Sequence, residues 1–448
     1  MKRTTSVLRK AFWSILICGL IAVAAFFIIA DPYSIFDNLY EKGSLQEINE
    51  AIKNGANVNA KDRFGDTPLM FASNNADPEA IRALINAGAD VNAVNIYGET
   101  PLIHAASNGN SEAIMIFIKA GANVNAQDDY GVTPLIWAMF NKASSEAIIA
   151  LIEAGADVNA GEHIKAREDG IMTPLLLETR LSANPEVIKT LVKSGANVNV
   201  STKEGFTPLS TAASFNPNPE VIKTLINAGA KVNTKDNRGF TPLLLLTYNK
   251  ASPDAILALV NAGADVNVRL KDGNTPLTLS LRYRSNQEVI TALVNAGADV
   301  NEGGYVDAQD DDVMAPLILE TRYSANPAVI RTLINAGADV NVQDNVGMTP
   351  LMWAASRKTD VEVITAIINA GADLDIKSNS GMTALMWAAN NSYPEVVTTL
   401  LNFGATTDLK DNSGKMAIDY ANNNINLENT EAIARLQSET QFVSTDIR

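Results

Sequence analysis

From residue 55 onward the chain repeats itself, and this rules out reading it as a few ordinary globular domains. The string Gly-Ala-(Asp/Asn)-Val-Asn, or a close variant, begins at Gly55, Gly88, Gly121, Gly155, Gly195, Gly229, Gly263, Gly297, Gly337, Gly371 and Gly404. A Thr-Pro-Leu string or variant begins at Thr67, Thr100, Thr133, Thr173, Thr207, Thr241, Thr275, Ala315, Thr349 and Thr383. Successive copies lie 33 or 34 residues apart, except for two units of 40. A unit this small cannot bury an apolar face by itself, so the fold must draw its stability from stacked neighbours.

Each unit predicts two short helices and a projecting turn. Thr accepts an orphan backbone N–H at the start of the first helix. Pro follows at the position where its missing N–H costs nothing. The second helix starts the same way in "DPEAIRALINAG" (77–88) and "NPEVIKTLVKSG" (184–195), with Glu in the first turn where the helix dipole favours it. Ile81, Leu84 and Ile85 recur at helical spacing. The Gly of Gly-Ala-Asp ends the helix where φ must be positive.

This arrangement resembles the ankyrin repeat, over roughly residues 34–436. The resemblance implies an all-α repeat solenoid of helix-turn-helix units with β-hairpin fingers, which binds other proteins through its concave face and fingers. The expected layout is a capping repeat at 31–64, ten repeats over 65–404, a second capping repeat at 405–436 and a frayed tail at 437–448. The family motif Thr-Pro-Leu-His is not kept. Met70, Ile103, Ile136, Leu176, Ser210, Leu244, Thr278, Ile318, Met352 and Met386 replace its His. Apolar packing is expected in its place.

The two long units insert residues in the finger, at 160–172 and 302–314, and lie 142 residues apart in otherwise similar surroundings, as a duplicated four-repeat block would. Each also carries Glu (Glu178, Glu320) where its neighbours have a small packing residue. A hydrogen bond from this Glu to the inserted finger, or to Arg180 or Arg322, would explain the pairing. The competing expectation is a partly solvated Glu beside a surface Arg. The acidic run Asp307, Asp310, Asp311 and Asp312 lacks regular calcium-ligand spacing and reads as a solvated fingertip.

Ahead of the repeats, residues 11–30 are twenty apolar or neutral residues, long enough to cross a bilayer as a helix. Lys2, Arg3, Arg9 and Lys10 precede them, which predicts a transmembrane signal anchor with 1–10 in the cytoplasm. The repeats would then lie across the membrane, outside the cytoplasm, which in a Gram-negative bacterium is the periplasm. The alternative is a cleaved signal peptide, with "AVA" at 22–24 as its processing site, and an exported soluble effector or inhibitor.

The formal net charge is −15, and no basic stripe is visible along the sequence, so no nucleic-acid partner is expected. One cysteine, Cys18, excludes an internal disulfide. Gly414-Lys415 is followed by Met, so no phosphate loop is formed. Ser107 and His104 make a nucleophile and base only if geometry is ignored. No enzyme activity, cofactor, metal or small-molecule substrate is expected.

One column of the first helix stands out. Leu351, Ala354 and Ala355 share a stripe, and Trp353 falls about 200° from Leu351, off it. Across the array this column reads Phe71, His104, Trp137, Leu177, Thr211, Leu245, Leu279, Leu319, Trp353 and Trp387. The fingers add Phe64, Tyr97 and Tyr130 just before their turn glycines. The predicted protein-binding residues are Phe64, Phe71, Tyr97, His104, Tyr130 and Trp137 as one patch, with Trp353 and Trp387 as a second.

Overall fold

The computed structural model describes residues 45–445 except 76, 162–171, 308–309, 358–359, 392, 425–426 and 428–429. The predicted membrane segment 11–30 lies outside them. Among the described residues no helix is long and apolar enough to cross a membrane. The chain divides into two compact units, Met1–Ala156 and Asp157–Arg448.

The first unit starts with helix Leu45–Lys53. Three helix pairs follow: Pro68–Asn75 with Pro78–Asn86, Pro101–Ser107 with Ser111–Lys119, and Pro134–Phe140 with Ser145–Glu153. Among the described residues the second unit contains eight pairs, from Pro174–Leu181 with Pro185–Lys193 to Ala417–Asn422 with Glu431–Thr445. Inside each unit, first helices pack on first helices and second helices on second helices. The expected caps form. Thr100 Oγ1 accepts from the Ile103 amide at 3.3 Å, and Asp77 accepts from the amides of Glu79 and Ala80. Thr173 makes no such bond, and Ala315 cannot, so both long units dispense with the cap. The last helix runs through the expected tail as far as Thr445, anchored upstream by the buried Ala432 and Leu436.

The core is the inner stripe of both helices. Leu135, Ile136 and Ala138 are fully buried on one first helix, as are Val221, Ile222 and Leu225 on one second helix. A fully buried Leu of this kind contributes about 1.5–3 kcal/mol relative to exposure. The residues replacing the family's His are buried as expected. In two units they do polar work as well, since Ser210 and Thr278 donate and accept in capping boxes with Thr207 and Thr275.

The predicted β-hairpin fingers are mostly tight turns. Among the described residues one strand pair forms, Gly304–Asp307 antiparallel to Asp310–Met314, in the second inserted finger. An ordinary finger closes within a few residues and has no length for a ladder. Its turn glycine has positive φ, and at Gly347 (φ 75°) a Cβ would lie 2.6 Å from the Asn379 amide nitrogen. Adjacent fingers therefore touch closely and exchange single backbone bonds, such as Asn379 N–H to the Val346 carbonyl at 3.0 Å.

The Asn of each Gly-Ala-Asp-Val-Asn string laces one repeat to the next. Asn199 Nδ2 donates to the Gly229 carbonyl at 3.0 Å, and its Oδ1 accepts from the Lys231 amide at 2.8 Å. Asn59, Asn159, Asn233, Asn267, Asn301 and Asn341 do the same. At the far end Asp375 keeps only the acceptor half, receiving the Thr406 amide at 3.0 Å and the Thr406 hydroxyl. Substituting Asn199→Ala should therefore destabilise the second unit by about 1–2 kcal/mol in urea unfolding. The Lys231 amide should lose hydrogen-exchange protection, and an unchanged exchange rate there would refute the lacing.

Both expectations for the long-unit glutamates are corrected. Glu178 is 3% exposed and Glu320 is 2% exposed, so neither is partly solvated. Each carboxylate turns to its own inter-helix loop: Glu178 Oε1 accepts from the Asn184 amide at 2.9 Å, and Glu320 Oε1 accepts from the Asn326 amide at 2.8 Å. The Ser182 and Ser324 hydroxyls support them. The loop needs this tether because it passes through left-handed backbone at Ala183 (φ 52°) and Ala325 (φ 58°), strained for an L residue. Burial holds both carboxyl pKa values above the usual 4.5. The first inserted finger and the side chains of the acidic run at 307–312 lie outside the described residues.

Candidate protein-binding surface

The tryptophans of the column are half-buried, and the indole N–H groups of two of them, Trp137 and Trp353, are bonded inside their own repeat. Asp128 forms the finger turn by accepting the amides of Tyr130 (3.0 Å) and Val132 (2.9 Å) on Oδ1. Its Oδ2 accepts from Trp137 Nε1 at 2.9 Å. Asp344 does the same for its own turn, and its Oδ2 accepts from Trp353 Nε1 at 2.8 Å. Asp411 repeats the pattern with Tyr420, whose hydroxyl donates at 2.5 Å. That bond, the largest influence, lowers the Asp411 carboxyl to about 2. Each ring therefore clamps a finger to the first helix that follows it.

Where the partner is missing, the clamp changes. Leu245 offers no donor, and Asp236 turns its free oxygen to Arg238 at 3.1 Å. The finger before Trp387 carries Ser378 at the equivalent place, and Trp387 Nε1 is buried without a hydrogen-bond partner. The column's Leu177, Leu245, Leu279 and Leu319 are buried outright. The clamp had a legible signal in the sequence. Asp128 and Trp137, Asp344 and Trp353, and Asp411 and Tyr420 all stand nine residues apart.

The predicted first patch separates into two groups. On the fingers, Phe64 stacks on Tyr97 with ring centroids 6.4 Å apart, and the Arg63 guanidinium lies 4.8 Å from the Phe64 ring centre. Tyr97 is 48% exposed and Tyr130 is 58% exposed. Val94 and Ile96 are exposed beside them. Among the described residues these four are all of the exposed large apolar side chains of the first unit. His104 belongs elsewhere. Its Nε2 lies 3.4 Å from Glu99 and 3.7 Å from Asp66, and its Nδ1 lies 3.2 Å from Asn74 Oδ1. Ser107 donates to the His104 carbonyl rather than to its ring. Phe71 is half-buried on its helix.

A second feature could not be seen along the sequence. Stacking sets Arg180, Lys250, Arg284 and Arg357 at the ends of four of the second unit's first helices, although they lie 34 or more residues apart in the chain. The basic stripe missing from the sequence is assembled by the repeat.

The family description "Ankyrin repeats (3 copies)" matches residues 39–128, 71–162, 175–270 and 306–433, and "Ankyrin repeat" matches residues 272–305. Among curated proteins none matches the chain. The ankyrin repeat domain of human ASB11 is structurally similar over 53% of this chain and 99% of its own, at 24% identity and a TM-score of 0.41. With the family description matching well over half of its length, the chain belongs to the ankyrin-repeat family.

Proposed function

We propose that this chain is a membrane-anchored scaffold that binds another protein through the fingers of its first unit. Ankyrin repeats generally mediate protein–protein interaction, as non-enzymatic scaffolds. One observation carries the choice of surface: among the described residues, the exposed large apolar side chains of that unit, Val94, Ile96, Tyr97 and Tyr130, all sit on neighbouring fingers. Exposed Tyr beside aliphatic side chains makes an efficient contact anchor, because it buries much area for little lost freedom. Trp137 is better assigned to holding the finger that presents Tyr130.

The anchor reading rests on residues 11–30 and the basic residues before them, and it places the repeats outside the cytoplasm. Amino-terminal sequencing of the mature protein separates an anchor from a cleaved leader: a start at Met1 supports the anchor, and a start after Ala24 the exported form. The surface is tested by crosslinking in intact cells. A Tyr97→Ala/Tyr130→Ala variant should lose most of the crosslinked partner while its unfolding midpoint stays within a degree or two, roughly the effect of a surface change. Retention of the full crosslinked yield would sink the finger assignment.

A further inference from the structure

We propose that the second unit carries a separate docking surface, for an acidic and partly apolar segment of another protein, along the carboxyl ends of its first helices. Arg180, Lys250, Arg282, Arg284, Arg322 and Arg357 stand at these ends. No Asp or Glu occurs in the corresponding stretches 179–184, 213–218, 247–252, 281–286 and 321–326, in a chain with a net charge of −15, while the sixth stretch, 355–360, ends in Asp360.

Aromatic rings join one repeat to the next along the row. The Arg180 guanidinium lies 5.2 Å from the centre of Phe215. Tyr248 meets Tyr283 edge-on at 5.6 Å, and Lys250 Nζ sits 5.3 Å from the same ring. The Arg322 guanidinium is 4.5 Å from the Trp353 ring centre. Phe215 is 51% exposed, and Leu181 and Tyr248 are exposed as well.

Helix-dipole stabilisation favours a cation at such ends by about 0.3–1 kcal/mol, but it does not require one. The first unit ends one equivalent helix with Ser107-Asn108-Gly109 and another with Asn141-Lys142, and the last full repeat ends with Asn390-Asn391. Lys250 (φ 53°) and Arg284 (φ 55°) occupy left-handed backbone, as Lys142 (φ 56°) does in the first unit, at the place where another first-unit helix has Gly109 (φ 65°). Keeping a long cation there costs about 1–2 kcal/mol relative to glycine, which points to a use for the charge.

The chemistry favours carboxylates over a phosphate backbone. Packed helices lie about 8–10 Å apart, giving at most about two cations per step and none at Pro208–Phe215, far sparser than the phosphates of a nucleic acid. The Arg180 guanidinium, set over the Phe215 ring, presents in-plane N–H donors to a bidentate carboxylate. Five such steps span roughly 45 Å, the reach of about fourteen extended residues. The occupant is therefore an extended acidic segment with interspersed apolar side chains that meet Leu181, Phe215 and Tyr248.

The test uses the full chain and a fluorescent peptide that repeats Glu-Glu-Leu. Anisotropy should show saturable binding that weakens as salt is raised. The Arg180→Glu/Lys250→Glu variant should bind about tenfold or more weakly, since it places like charges against the ligand. Lys193→Glu/Lys223→Glu, with the same charge change on exposed second helices, should bind as the wild type does. So should Tyr97→Ala/Tyr130→Ala, which separates this surface from the fingers. Several results would overturn the proposal: no binding, equal binding of a Lys-Lys-Leu peptide, equal loss in both charge variants, or tighter binding of a single-stranded oligonucleotide or anionic vesicles.

Discussion

Replacing Glu178 with Ala should destabilise the second unit by about 2–3 kcal/mol, whereas replacing it with Gln should change stability by less than about 1 kcal/mol at neutral pH. Ala removes the acceptor for the Asn184 amide and leaves a hole beside a strained loop. Gln keeps a carbonyl oxygen in place and removes a charge that burial disfavours. The pH dependence should separate the two effects. Burial raises the folded carboxyl above the 4.5 of an unfolded Glu, so the folded state holds this proton to higher pH. The group's contribution is complete below the unfolded value and is lost as pH rises through the folded one. The stability of wild type minus that of Glu178→Gln should therefore grow as pH falls from neutral towards 4.5. A flat difference would mean that the carboxyl titrates as if in water. Glu320 should behave alike.

Trp137→Phe and Trp353→Phe should each cost about 1–2 kcal/mol, and Trp387→Phe clearly less, because only the first two lose a hydrogen bond to a finger carboxylate. Truncation to Ala should cost about 2–4 kcal/mol at Trp137 by adding a packing defect. The converse experiment is sharper. Ser378→Asp places a carboxylate opposite the orphaned Trp387 indole and should raise stability, and it should lose that gain when Trp387 is Phe. Equal costs for all three Phe variants in urea unfolding would show that ring area, not the clamp, decides the column.

Local grammar was plain in the sequence. Thr-Pro starts, Asp and Asn caps and Gly stops all report bonds within a few residues, and the period made stacking unavoidable. Contacts between repeats were harder to read. The Asn at the end of Gly-Ala-Asp-Val-Asn looked like part of a turn, because its partners Gly229 and Lys231 lie thirty or more residues beyond Asn199. The glutamates of the long units were matched to the insertions that accompany them, yet they bond six residues downstream in their own loop. Within the column the tryptophans are half-buried, whereas Leu177, Leu245, Leu279 and Leu319 join the core. Solvent is not the only alternative to the core, and the finger carboxylates nine residues upstream hold Trp137 and Trp353. The basic row escaped notice because linear charge patterns cannot show what a period of about 34 residues brings together.

The asparagine lacing has a consequence for how such a chain can change. Asn159 reaches Gly195 and Asn301 reaches Gly337, both at 3.0 Å, across the two enlarged fingers, as Asn199 reaches Gly229 across an ordinary one. The seam between neighbours is thus indifferent to the number of residues looped out between its two stitches. Finger length is a free variable, and the insertion points after Ala160 and Glu302 are natural ports. Foreign sequence spliced there would alter what the surface presents without unpicking the stack beneath it.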